Sequence, residues 1–267
     1  MNYNLIKTDI EVLSDVDLNN TTKYYRFKET DFFFKKHDNT DRLVVSFHGS
    51  RETTKGIYAP LPIFRGYDWK FNMLCISDKL LNIIDVNVAH IGWFLSPTGS
   101  GFHETYVDII SFFLDKFQNV VFTGTSAGGF PALLYSSYFK KKGITSNTQL
   151  YLNKGWPANM VNNMEKSLNN QFEIKTCEDI IKKYGFPEKF IYYSNENDIQ
   201  YHEINFIPFK EYLTANNYIT HFGTRNFKGK ESSYPHGVNT PEGTTYNDEI
   251  EKLLNFNPIC ESVPPQE

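Results

Sequence analysis

One short stretch constrains this chain more than any other: Gly124-Thr125-Ser126-Ala127-Gly128, followed directly by Gly129. Residues 119–123 (NVVFT) before it form a compact apolar run that predicts a strand, and residues 127–139 after it predict a helix. A chain that leaves a strand, turns within a few residues and enters a helix needs small residues on both sides of the turn. A serine at the apex is then lifted clear of the sheet, with the first amides of the helix beneath it. That setting makes Ser126 a candidate nucleophile. The alternative is a glycine-rich turn whose serine only caps the helix. A nucleoside triphosphate loop is excluded, because no Gly-Lys-Ser/Thr follows.

The rest of the chain alternates in the same way. Residues 24–28 and 31–36 predict an antiparallel hairpin around Glu29-Thr30, and residues 42–48 (RLVVSFH) a buried strand feeding a loop. Further strands are expected at residues 72–77, 88–94, 149–152, 190–193 and 218–223. Helices are expected at residues 104–117, 204–213 and 247–254; in the first, Val107, Ile110, Phe113, Leu114 and Phe117 share one face. Residues 51–71 read as an ordered active-site loop, residues 155–188 as a helical lid insertion, and residues 256–267 as a loose tail. Strands alternating with helices imply a mostly parallel central sheet with helices on both faces. The expected architecture is a single domain over residues 1–267 with the α/β-hydrolase fold.

A serine hydroxyl needs a base, and in this fold the chain order is Ser, then Asp or Glu, then His. That order leaves His202, His221 and His236, of which His236 follows the last expected strand and precedes the last helix. His221 falls within the strand pattern. Asp198 ends the polar run after residues 190–193 and is the expected acid, with Glu196 as the fallback. His202 follows Asp198 by one helical turn and is placed to support the loop or touch substrate. The oxyanion would be met by the amide of Ala127 and by that of Gly49 or Ser50. Arg65, Asp68, Trp69, Trp93 and Trp156 are candidates to line a substrate cleft, with packing as the competing reading.

Composition narrows the classes. Of 267 residues, 40% are hydrophobic and 22% charged, as in a soluble globular protein. A net charge of −4 gives no footprint for nucleic acid or an anionic membrane. The aromatic share of 16% reads first as packing and second as a carbohydrate-facing surface. Cys75, Cys177 and Cys260 lack metal-ligand spacing, and no His-Glu-x-x-His occurs, so no metal is expected. Residues 1–20 lack the features of a signal peptide, and no apolar stretch is long enough for a membrane helix. A cytoplasmic protein is expected, free, self-associated or within a biosynthetic complex.

His48-Gly49, Pro62-Ile-Phe-Arg-Gly-Tyr-Asp-Trp69, Leu74-Cys-Ile-Ser-Asp78, Gly92-Trp93 and Gly124-Thr-Ser-Ala-Gly-Gly-Phe130 occur in an order that resembles α/β-hydrolase-like proteins of bacterial surface-polysaccharide loci. The segment Asn197-Asp-Ile-Gln-Tyr-His202 is similar to the acid-bearing loop of α/β-hydrolase-fold capsule O-acetyltransferases. The resemblance covers roughly residues 42–240. It implies Ser126 as nucleophile, Asp198 as acid and His236 as base. It also implies an acetyl group passing from acetyl-CoA through acetyl-serine to a sugar hydroxyl, with no tightly bound cofactor. Two other readings stand beside it: an esterase using the same triad with water as acceptor, and a non-catalytic module that binds glycans or assembles a complex.

Overall fold

The structure, a computed structural model, describes residues 7–18, 23–37, 40–50, 70–84, 89–100, 103–228, 236, 240–241 and 245–255. The strands are β1 (Lys7–Asp9), β2 (Lys23–Phe27), β3 (Thr30–Lys35), β4 (Arg42–Phe47), β5 (Asn72–Ile76), β6 (Asn119–Thr125), β7 (Lys142–Ser146), β8 (Lys189–Asn195) and β9 (Phe222–Phe227). The helices are α1 (Leu80–Ile83), α2 (Glu104–Leu114), α3 (Gly129–Phe139), α4 (Gly155–Leu168), α5 (Cys177–Tyr184), α6 (Ile199–Tyr201), α7 (Ile207–Ala215) and α8 (Tyr246–Asn255). The strands form one sheet in the order β1-β2-β3-β5-β4-β6-β7-β8-β9. From β5 to β9 every pairing is parallel, while β2–β3 and β3–β5 are antiparallel. The hairpin turns at Lys28 and Glu29, both left-handed, one residue earlier than the sequence suggests.

The central strands are buried on both faces, and their side chains alternate between two cores. Leu43, Val45 and Phe47 of β4 join Leu74 and Phe122 in the larger core, which also takes in side chains of α2, α3, α5 and α7. Val44 joins Met73, Cys75, Val121 and Ile144 on the opposite face, beneath Ile250, Leu253 and Leu254 of α8. Burial on both faces is what a parallel sheet demands, so β4 and β5 are mostly apolar rather than alternating.

Three expected strands are corrected. Residues 89–94 make turns, because Asp78 Oδ2 accepts the N–H groups of Gly92 and Phe94, and Trp93 and Phe94 are left-handed. Residues 149–152 form no strand either. The strand before them is β7, whose sequence KGITS shows no apolar period yet is wholly buried. Its Lys142 ammonium donates to Leu253 O at 3.1 Å, and at Gly143 a side chain would meet the Phe190 ring. Residues 218–223 hold a 3-10 turn, Ile219–His221, and the last strand begins at Phe222. The helix expected at residues 204–213 extends to both sides, with α6, a π-turn over His202–Phe206, and α7 running on without a break. Residues 155–188 carry α4 and α5; α5 starts with a capping box between Thr176 and Asp179 and packs on α3. Most of the 51–71 loop and the 256–267 tail lie outside the described residues.

The start of α2 carries an acid-sensitive contact. His103 caps the helix, its Nδ1 accepting the N–H of Thr105 at 3.2 Å. Burial, with the nearby Lys79 ammonium adding to it, lowers the imidazole to about 4. The unfolded chain, with histidine near the ordinary value of about 6.5, therefore binds the proton more readily than the folded one. This contribution to stability is complete above pH ~6.5 and is lost as pH falls towards 4. His103→Asn keeps a capping oxygen and removes the titration. Urea midpoints measured from pH 7 to pH 4 are expected to fall less steeply for His103→Asn than for the wild type.

Candidate active site

Ser126 stands at the junction of β6 and α3 with φ +54°, a left-handed conformation that costs a non-glycine residue about 1–2 kcal/mol. The flanking glycines explain how the turn closes. A Cβ at Gly124 would lie 2.0 Å from Gly128 O, and one at Gly128 would lie 2.4 Å from Phe47 O. At Gly129 it would meet Thr148 Oγ1 at 1.7 Å. Two hydrogen bonds then pin the apex: Ser126 O accepts the Thr148 hydroxyl at 2.6 Å and the Gln149 N–H at 3.1 Å. Ser126 itself is half-buried and Ala127 fully buried.

The loop after β4 comes close on the other side. A Cβ at Gly49 would stand 3.6 Å from Ser126 Cβ, so the two backbones are neighbours. His48 is buried and shapes this loop. Its Nδ1–H donates to Gly49 O at 2.8 Å, and its Nε2 accepts the N–H of Asp78 at 3.3 Å, which requires the neutral ring. Ser50 is exposed.

Asp198 and His236 meet although they stand 38 positions apart in the chain. Asp198 follows β8 and starts α6, where its carbonyl accepts the N–H groups of Tyr201 and His202. Its Oδ2 accepts the Nδ1–H of His236 at 2.7 Å. A carboxylate can only accept, so Nδ1 carries the proton and Nε2 is the basic nitrogen. The two side chains are 8% and 18% exposed, which shields the contact from water. The face of the His236 ring lies against Tyr201, with centroids 4.0 Å apart. Glu196 turns instead towards Lys228, at 4.0 Å. His202 bonds Ser194 Oγ through Nδ1 at 2.7 Å and stacks on Phe206, so it braces the acid's loop. His221 is exposed and donates to Glu188 O.

A small groove adjoins these residues, lined by Gln149, Tyr151, Lys154, Trp156, Tyr201 and Ile204. Trp156 is 36% exposed there and is open to a ligand. The Tyr151 hydroxyl donates to Glu178, and burial pushes its phenol up, so it stays protonated. Lys154 lies 4.1 Å above the Tyr151 ring. For Trp93 the structure favours packing, the competing reading, over lining a cleft. It is fully buried, its indole N–H donates to Gln149 Oε1 at 2.9 Å, and it has no face left for substrate. Arg65, Asp68 and Trp69 lie outside the described residues. Among the described residues no group of three or more His, Cys, Asp or Glu gathers as a metal site. No described helix is long and apolar enough to cross a membrane.

Thr148, Gln149 and Tyr201 escaped the sequence reading. Their importance lies in contacts to residues 22 or more positions away, which no local pattern reveals.

The parallel sheet, the left-handed serine between β6 and α3, and the acid after β8 are the layout of the α/β-hydrolase fold. Comparison with solved structures agrees. Esterase B from Lactobacillus rhamnosis superposes with a TM-score of 0.54 at 14% identity, over 90% of this chain and 89% of that one. Carboxyl esterase 2 from the fungus Tuber melanosporum gives 0.51 at 12% identity, over 93% and 89%. Dipeptidyl peptidase 4 from Porphyromonas gingivalis gives 0.57 at 14% identity, over 87% of this chain and 35% of that longer one. At such identities the likeness is one of fold. No family model matches the sequence, and no curated protein does.

The backbone contacts at the turn set an order of tolerance. Gly124→Ala and Gly128→Ala are expected to cost about 3 kcal/mol or more, because the added methyl meets backbone that has nowhere to move. Gly49→Ala, with its nearest contact at 3.3 Å, should cost far less. Denaturant midpoints of the three variants measure this; equal midpoints would refute the packing described.

Proposed function

We propose that this protein cleaves carboxylic esters through an acyl-serine intermediate, with Ser126 as nucleophile, His236 as base and Asp198 as orienting acid. The observation that carries the reading is the 2.7 Å contact between Asp198 and His236. Gln149 and Tyr201 link that pair to the strained serine.

Ser126 Oγ attacks the ester carbonyl carbon while its proton passes to His236 Nε2. The electron pair of the carbonyl moves onto oxygen, which accepts hydrogen bonds from the amide of Ala127 and from that of Gly49 or Ser50. The bond to the alcohol then breaks, and His236 returns the proton to the departing oxygen. Water, losing a proton to His236, attacks the acyl carbon, and the bond to Ser126 Oγ then breaks as His236 returns that proton to it, releasing the carboxylic acid and the free serine. Throughout, Asp198 holds the ring in one tautomer and offsets its positive charge. The esterases among the structural neighbours are consistent with this chemistry.

A second reading has a sugar hydroxyl take the place of water, so that the protein O-acylates a glycan with acetyl-CoA as donor. The exposed Trp156 beside Tyr151 and Tyr201 favours it, since sugar rings stack on aromatic faces. Both readings share the acyl-serine.

The expected outcome with p-nitrophenyl acetate is turnover by the wild type, a loss of at least about 10³-fold in Ser126→Ala and about 10⁴-fold in Asp198→Asn. Ser126→Ala retaining full turnover would overturn the assignment. Incubation with acetyl-CoA and an oligosaccharide separates the two readings: an acetylated sugar in the mass spectrum supports transfer, and free acetate alone supports hydrolysis.

A further inference from the structure

One chain of contacts joins the turn of the nucleophile to the base without passing through substrate. It begins at Asp78, buried, whose Oδ2 accepts the N–H of Gly92 at 2.7 Å and of Phe94 at 3.2 Å. These bonds hold Trp93 and Phe94 at φ +52° and +57°, two adjacent left-handed residues. Backbone strain of this kind persists only where its surroundings impose it. The result is an indole N–H aimed at Gln149 Oε1, 2.9 Å away. With its oxygen so engaged, the amide presents Nε2 as a donor, and Nε2 reaches the Tyr201 hydroxyl at 3.0 Å. The backbone N–H of the same glutamine donates to Ser126 O. Beyond the hydroxyl, the Tyr201 ring lies flat against His236, with 26° between the planes.

We propose that Tyr201 is a positioning residue for His236, held in place by Gln149, and that the two form a bracket setting the base relative to the nucleophile. The proposal rests on the reading of Ser126 and His236 as nucleophile and base. The bond from Asp198 fixes one ring nitrogen, and a flat ring against one face restrains the plane of the imidazole. Small misplacements of reacting groups cost rate steeply. When the imidazole takes the serine proton, its new positive charge also faces the electron-rich side of the phenol ring. The ring supplies both effects, and the hydroxyl only fixes where the ring sits.

The test is steady-state kinetics with p-nitrophenyl acetate on Tyr201→Leu and Tyr201→Phe, beside spectra of protein carrying ¹³C-labelled histidine. Tyr201→Leu is expected to lower kcat about 10- to 100-fold with KM changed less than about 2-fold. Tyr201→Phe keeps the stack but loses the bond to Gln149, so a smaller drop in kcat, of about 3-fold, is expected. The His236 ring signals should be shielded in the wild type and in Tyr201→Phe, and lose that shielding in Tyr201→Leu. Should Tyr201→Leu not fold, Tyr201→Met fills more of the space and is expected to give the same kinetic loss. Wild-type kcat in a variant without the ring, or a Tyr201→Phe enzyme as impaired as Tyr201→Leu, would overturn the proposal. If the wild type turns over no ester although its His236 signals are shielded, the serine reading has failed and the positioning role falls with it.

Discussion

Backbone packed directly on backbone at the end of β6 is the contact on which the site depends. With no side chain at Gly124, the carbonyl of Gly128 comes close enough that even a methyl would leave 2.0 Å. With none at Gly128, the whole turn settles against the last residues of β4. This closeness forces the chain to reverse over a single residue, and that residue takes the left-handed conformation seen at Ser126. The strain is offset by hydrogen bonds to its carbonyl from Thr148 and Gln149. Strong local geometry and the sheet that supports it are therefore one feature: β4 and β6 are neighbours, and the turn needs both.

The remaining parts follow from the parallel sheet. Strands that all run the same way bring the loops that leave them to one edge, where sites of this architecture form. After β6 comes Ser126; after β7, Asn147 to Gln149; after β8, Asp198. Side chains knit these loops to one another. Asn147 Oδ1 accepts the N–H of Asn195, ahead of the acid's turn. The π-turn over His202–Phe206 holds Asn205, whose Oδ1 accepts the N–H groups of Leu150 and Tyr151 at 2.7 and 3.2 Å. Such turns are rare and recur at functional sites. Here the turn ties the helix that starts at Asp198 to the loop that carries Gln149, and so fixes the distance between Tyr201 and Ser126.

Much of this was legible in the sequence where physics acts locally. The strand before Ser126 is an apolar run, its glycines are what a tight turn requires, and the position of Asp198 after an apolar strand pointed to the partner that the structure places against His236. The fold class followed from the alternation of strands and helices. What stayed hidden depends on distant contacts. The buried strand KGITS satisfies its lysine through a helix more than 100 residues away, and no period betrays it. Residues 89–94 have the composition of a strand, and a buried carboxylate bends them into turns. Trp93, for which lining a cleft and packing stood side by side, is an interior strut, and its indole N–H finds a partner 56 positions on. A single sequence carries the identity of such residues but not their company.

The central claim is that Ser126 alone among the serines is activated for attack. Treating the purified protein with a fluorophosphonate and mapping the adduct by peptide mass spectrometry tests it most directly. The account predicts one adduct per chain, on the peptide holding Gly124 to Gly129, and none in Ser126→Ala. An unmodified wild type, or an adduct that persists in Ser126→Ala, would contradict it.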